Sequence, residues 1–167
     1  MRNLKDQDLQ NNQPLFQSDS LRIERMSPVD LEEVMEIESL SFPSAWARSY
    51  FLHEIRNNRA AFPIVLRDLG HLRILGFAIC WIMPDELHIT NVAVHPLYRS
   101  HGYGGMLVRM LLDIGRENEC SVAALEARIS NRTAIRLYLN LGFRIAGVAP
   151  HYYDNNGEDA YILRREI

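Results

Sequence analysis

Residues 86–114, ELHITNVAVHPLYRSHGYGGMLVRMLLDI, constrain what this chain can fold into more than any other stretch. Residues 87–94 are rich in Ile, Thr and Val and have the length of a buried strand, whereas Leu107, Met110, Leu111 and Ile114 recur at helical spacing. A strand must therefore hand over to a helix across residues 95–105, which contain Gly102, Gly104 and Gly105. Glycine reaches backbone conformations closed to other residues. The first amides of a helix lack intrahelical partners and sit at the positive end of its dipole. Ser100, His101, Gly102, Tyr103, Gly104 and Gly105 thus form a candidate anion cradle, with Arg99 as a positive fork beside it. Glycines before a helix also serve as ordinary turn and packing residues, but the position of these, after a strong strand and before a strong amphipathic helix, favours the anion cradle.

Two common phosphate motifs are excluded. A P-loop requires Lys-Ser or Lys-Thr after its last glycine, and none follows here; a dinucleotide fingerprint requires G-x-G-x-x-G, whereas this glycine pair ends in Met106.

With 167 residues and 47% apolar content the chain is long enough for one domain with a real core. A formal net charge of −3 supplies no general drive toward nucleic acid or anionic membrane, so neither is an expected partner. Cys80 and Cys120 form no C-x-x-C pair and have no metal-type clustering, which predicts buried free thiols, a reducing compartment and no metal. No run of 18 apolar residues and no signal-peptide pattern is present, and the expected location is cytoplasmic. The oligomeric state is open, with a monomer compatible.

Residues 1–20 are polar and rich in Gln, Asn and Asp, which predicts a flexible N-terminal extension before a single domain over 21–167. Residues 21–26 alternate apolar and charged, as a half-buried strand does, and Ser27-Pro28-Val29-Asp30 has the form of a helix start. Helices follow to about Ser41 and over 47–57, separated by an aromatic loop containing Phe42, Pro43 and Trp46. Those aromatics either line a binding site or plug the core between the two helices. Residues 61–67 and 72–83 read as a hairpin, the second strand nearly all apolar and hence central. Residues 121–128 form a further strand in which Glu126 shares a face with Val122 and Ala124. If that face is covered, the carboxyl pKa should rise; a lone strand Glu can also be a surface residue. Asn131 caps a helix over 132–141 that carries Tyr138 on its apolar face, and two final strands, 143–150 and 158–164, complete an α/β (α+β) pattern. The prediction is a mixed sheet of about six to seven strands flanked by about four helices.

The strand Asn91-Val92-Ala93-Val94 followed by R-x-x-G-x-G, the run Leu125-Glu126-Ala127-Arg128-Ile129-Ser130-Asn131, and the sequence Ala134…Leu137-Tyr138…Leu141-Gly142-Phe143 together resemble the GNAT family of N-acetyltransferases over residues 21–165. The Phe42-Pro43 loop and the Tyr152-Tyr153 ending are similar to the RimI type of that family, which acetylates the N-terminal alanine of a small-subunit ribosomal protein. The resemblance implies acetyl-CoA as donor and a protein or peptide N-terminus, in that type a ribosomal protein, as acceptor partner. It assigns the acetyl and pantetheine end to Val92, Ala93 and Val94, the pyrophosphate to residues 100–105, and a pantetheine contact to Asn131. It makes Glu126 the general base and Tyr138 the general acid, with Phe42, Trp46, Tyr152 and Tyr153 selecting the acceptor. His88, Thr90 and His151 remain substitutes for the base. Alternatives within the resemblance are an acceptor that is a small amine or a lysine side chain, and, from another class, a non-catalytic acyl-CoA sensor.

Overall fold

The structure, a computed structural model, describes residues 14–167. Eight strands form one sheet in the order β1-β2-β3-β4-β5-β6-β8-β7. They are β1 Phe16–Gln17, β2 Leu21–Arg25, β3 Ala61–Asp68, β4 Arg73–Met83, β5 Glu86–Val94, β6 Val122–Arg128, β7 Arg144–Tyr153 and β8 Glu158–Glu166; the helices are α1 Leu31–Ser41, α2 Arg48–Arg56, α3 Tyr103–Glu117 and α4 Arg132–Asn140. Every neighbouring pair is antiparallel except β5 and β6, whose parallel pairing follows from the α3 crossover between them.

The strand beyond the predicted count is β1. Phe16 and Gln17 pair with Ile23 and Arg22, and Leu15 and Phe16 pack against the core. The end of the stretch expected to be flexible is thus paired with β2, because Leu15 and Phe16 bury apolar surface against the core. Residues 1–13, the rest of the predicted extension, lie outside the described residues.

Each face of the sheet has its own core. Leu107, Val108, Leu111 and Ile114 of α3 pack with Leu87, Ile89, Leu125 and Leu163 on one face, joined by Tyr138 of α4; Leu31, Val34 and Ile37 of α1 and Phe51 of α2 pack with Phe77, Ile79 and Ala93 on the other. The start of α1 is secured by Asp30, whose Oδ2 accepts from the Ser27 amide at 2.7 Å and whose Oδ1 meets Arg67 Nη2 at 2.6 Å.

One irregularity in β5 positions the site. Cys80 faces Ile89 and Ile79 faces Asn91, so Thr90 is an extra residue in the ladder, its hydroxyl donating to the Ile79 carbonyl at 3.1 Å. Such a bulge reverses the alternation of side chains. Leu87 and Ile89 accordingly join the α3 core, whereas Ala93 joins the α1 core and Val92 and Val94 turn toward α3.

Candidate active site

Beyond the bulge, β5 and β6 part. Their pairing covers only Glu86–Ile89 against 122–125, although β5 continues to Val94 and β6 to Arg128. The backbone of β5 past Ile89 thus meets β4 on one side and an opening on the other. The His95 amide donates to the Leu75 carbonyl of β4 at 2.9 Å. By the two-residue alternation of a ladder, Ala93 also points its amide at β4, while Val92 and Val94 direct theirs into the opening. Of the three residues Val92, Ala93 and Val94, two therefore have amides that face the opening.

The glycine turn lies at the end of this strand. Gly102 has φ +82 and Ser100 φ +65, a left-handed pairing that Gly102 adopts without strain. A methyl group at Gly102 would meet nothing within 4 Å, so the space above it is open. Gly104 and Gly105 lie close to other side chains: an added carbon at Gly104 would press on Leu137 of α4 at 3.3 Å, and one at Gly105 on Arg109 Nη1 at 3.3 Å. The first hydrogen bond of α3 runs from the Met106 amide to the Gly102 carbonyl, and among the described residues nothing accepts from the amides of Ser100 to Gly105. Six consecutive free donors at a helix N-terminus match a pyrophosphate in number and sign. Beside them Arg132, Thr133, Arg136, Leu137 and Asn140 line an open pocket of about 310 Å³. A larger hollow of about 540 Å³ is lined by Val122, Gly142, Arg144, Ala146, Arg164, Arg165 and Glu166, none of them a candidate site residue.

Arg99 departs from expectation. Its Nε donates to the Val94 carbonyl at 3.0 Å and its Nη2 to Ser41 Oγ at 3.0 Å, so it ties the turn to β5 and α1 rather than presenting a free fork. His101 is similarly turned back on the loop: its Nδ1 lies 2.8 Å from the Arg99 carbonyl and its ring stacks on Tyr103. Asn131 acts as the N-cap of α4, its Oδ1 accepting from the Ala134 amide at 3.1 Å.

On the α1 and α2 face, Glu126 projects beside the parting strands. His88 Nε2 lies 3.1 Å from its Oε2, and the Tyr152 hydroxyl donates to the same oxygen at 3.4 Å. The pKa of Glu126 is lowered, first by the hydrogen bond to His88 and only then opposed by burial. The rise expected from a covered strand face does not occur, because the neighbour supplied by β5 outweighs desolvation. His88 responds in the opposite sense: its pKa is raised above 6.5, first by Glu126. Spacing alone left His88 as one substitute base among three. Its place beside Glu126 follows from the parallel register that sets His88 opposite Ala124, two residues before Glu126 on the same face. The other two are elsewhere engaged: Thr90 in the bulge, and His151 in the terminal turn, where its Nδ1 lies 3.1 Å from the Gly157 carbonyl.

Tyr138 is buried on the opposite side of the sheet, edge-on to Phe143 with ring centroids 5.7 Å apart. Burial, and next the neighbouring Tyr153, push its phenol pKa far up and keep it protonated. Tyr153 is coupled electrostatically to both Tyr138 and Glu126: it raises the pKa of Tyr138, and Glu126 in turn helps to raise that of Tyr153, itself pushed to about 12 chiefly by burial. The Arg128 guanidinium covers the Tyr153 ring at 3.7 Å. Phe42 and Trp46 are half-buried against the α1 core, with Trp46 5.6 Å from Phe51, so the core-plugging reading accounts for most of their surface. Sequence reasoning passed over Glu38, which is 1% exposed and accepts from the Trp46 amide at 2.8 Å and Asn91 Nδ2 at 3.1 Å, tying the aromatic loop to β5. Burial raises its pKa. Cys80 and Cys120 are buried thiols that form no disulfide with each other. Among the described residues no helix is long and apolar enough to cross a membrane.

Comparison with known proteins bears on the family and the fold. Residues 31–143 match the model of the Acetyltransferase (GNAT) family. A putative ribosomal protein bS18-alanine N-acetyltransferase of Bacillus subtilis is 37% identical over 141 residues, which cover 84% of this chain and 92% of the relative. The crystal structure of the ribosomal-protein-S18-alanine N-acetyltransferase from Escherichia coli superposes with TM-score 0.79 at 30% identity, covering 88% of this chain and 94% of that one. The Arabidopsis thaliana NAA60 structure in complex with acetyl-CoA shares the fold, with TM-score 0.77 at 21% identity over 88% of this chain and 98% of that one.

Proposed function

Because the chain belongs to the GNAT acetyltransferase family and is an acetyl-CoA-dependent N-acetyltransferase, we propose that its acceptor is the α-amine of a protein, with the N-terminal alanine of ribosomal protein bS18 as the leading candidate. The observation that carries this reading is the Glu126 carboxylate, kept ionised by His88 beside the opened strands. An α-amine of pKa about 7.7–8.0 is largely protonated at neutral pH. Such a cation is attracted to Glu126 and becomes a nucleophile only after giving up a proton there.

In this reading Glu126 is the general base and Tyr138, protonated far above its ordinary range, the general acid for the departing thiolate. The amides of Ser100 to Gly105 hold the pyrophosphate, and Asn131, whose Oδ1 caps α4, offers its Nδ2 to the pantetheine. An outward amide of Val92 or Val94 donates to the carbonyl oxygen as negative charge grows on it. The donor supplies an activated acetyl group, and the chain contributes mostly orientation and proton transfer. The outer edges of Phe42 and Trp46, with Tyr152 and Tyr153, flank the first acceptor residue.

The test is acetyl-CoA-dependent thiol release with peptides beginning in Ala, Ser or Met, the same peptides with blocked N-termini, and polyamines. Turnover confined to free α-amino peptides with Ala preferred is expected. Turnover on polyamines or on lysines of the blocked peptides alone refutes the acceptor assignment.

A further inference from the structure

His88 lies between two carboxylates. Its Nε2 is 3.1 Å from Glu126 Oε2 and its Nδ1 3.6 Å from Glu86 Oε1. One ring nitrogen thus faces the proposed base, and the other faces Glu86, a residue 27% exposed that is also bonded to Arg164 at 2.9 Å. The imidazole is half-buried against the Trp81 ring, with centroids 6.2 Å apart, and the Trp81 indole donates to Glu54 at 2.6 Å. The charged and titratable groups around it are therefore Glu86 on its own strand, Glu126 on β6, Tyr152 on β7 through Glu126, Arg164 on β8 through Glu86, and Glu54 on α2 through Trp81.

A carboxylate whose proton affinity has been lowered is a poor final resting place for a proton from an α-ammonium. An imidazole flanked by two carboxylates is a better one, since the negative charge on both sides favours its protonated form.

We propose that His88 is a positioning and proton-relay residue that acts through Glu126, receiving at Nε2 the proton that Glu126 takes from the acceptor amine. The sequence begins with neutral His88, protonated on Nδ1. The ammonium N–H bond breaks as a Glu126 O–H bond forms; that O–H bond then breaks as the His88 Nε2–H bond forms, leaving Glu126 ionised and His88 an imidazolium. The Nε2 proton then passes to solvent at the partly exposed opening, which returns the ring to its neutral Nδ1–H form with that N–H facing Glu86. No redox partner is required, and the charges balance: one proton enters from the amine and one leaves. The direction of the His88 shift suits the task, since a relay works best with a pKa near the operating pH.

This inference rests on Glu126 being the base, and the experiment separates the two. The pH dependence of kcat is measured with acetyl-CoA and an Ala-initiated peptide saturating, so that groups in the ternary complex are read, for wild type, His88→Gln, Glu86→Gln and Glu126→Gln. Acetyl-CoA binding and thermal midpoint are recorded for each to establish folding. Gln at 88 keeps a polar group of similar reach beside Glu126 yet cannot accept a proton. It is expected to lower kcat about 10-fold or more and to remove the wild-type acid limb above pH 6.5. Glu86→Gln, by deleting one flanking charge, moves that limb to lower pH. Loss of turnover in Glu126→Gln together with a wild-type profile in His88→Gln overturns the relay alone. Full turnover in Glu126→Gln overturns the base assignment beneath it. If His88→Gln does not fold, an unmoved limb in Glu86→Gln overturns the relay.

Discussion

Gly76 lies in β4 directly opposite Val94, at the end of the strand that opens the site. A methyl group there would stand 2.7 Å from the Ala93 carbonyl oxygen and 3.2 Å from side-chain atoms of both Leu107 and Val94. The oxygen belongs to the backbone, so Gly76→Ala forces β4 and β5 apart by 3.0 − 2.7 = 0.3 Å to escape the forbidden range and by 3.4 − 2.7 = 0.7 Å to reach ordinary contact. Overpacking of this kind costs about 1–3 kcal/mol. The lost freedom of the unfolded chain returns about 0.4–1 kcal/mol, which leaves a net loss of roughly 1–2 kcal/mol. For a chain of this length that lowers the thermal midpoint by roughly 2–8 °C. The displacement falls on the segment that directs the Val92 and Val94 amides into the opening, so the KM for acetyl-CoA should rise as well. Urea unfolding and steady-state thiol release read the two effects. A variant within 0.5 kcal/mol of wild type with an unaltered KM would refute the claim that glycine at 76 is required by the close approach of Ala93.

Tyr138→Phe keeps the ring contact with Phe143 and removes only the hydroxyl. It is expected to lower kcat by about 10²-fold or more with little change in melting temperature, and unchanged turnover would remove Tyr138 from the mechanism. The Glu158 carboxyl is drawn down to about 2, chiefly by hydrogen bonding to Ser130, with Arg128 and Asn156 contributing. A depressed folded-state pKa stabilises fully above the ordinary value of 4.5 and is lost as pH falls toward 2, so wild type should show a steeper fall in thermal midpoint over that window than Glu158→Gln. Parallel profiles would contradict this.

The handover from strand to helix at residues 95–105 was legible in the sequence because glycine, β-branching and helical spacing are local signals, and the structure puts α3 at Tyr103–Glu117. Asn131 was legible as an N-cap for the same reason. The setting of Arg99 was not legible: charge and motif position are visible in a sequence, but that its guanidinium bonds the Val94 carbonyl depends on how the chain turns back. The paired edge of Phe16 and Gln17 was missed because a two-residue strand has no period to detect.

Residue types and their spacing determined by themselves the alternation of elements and the glycine turn before α3, and the motifs around that turn carried the resemblance to the acetyltransferase family; all of these are properties of short contiguous segments. The tertiary structure alone decided the protonation of Glu126. Its carboxyl is buried enough for desolvation to raise its pKa, yet the partner that lowers it lies 38 residues away and arrives only through the parallel register of β5 and β6. The opening between those strands has the same origin. A single bulged residue, Thr90, is recognised only when Ile79 and Cys80 are seen to face Asn91 and Ile89, because a ladder's register belongs to the pair of strands and to neither strand alone.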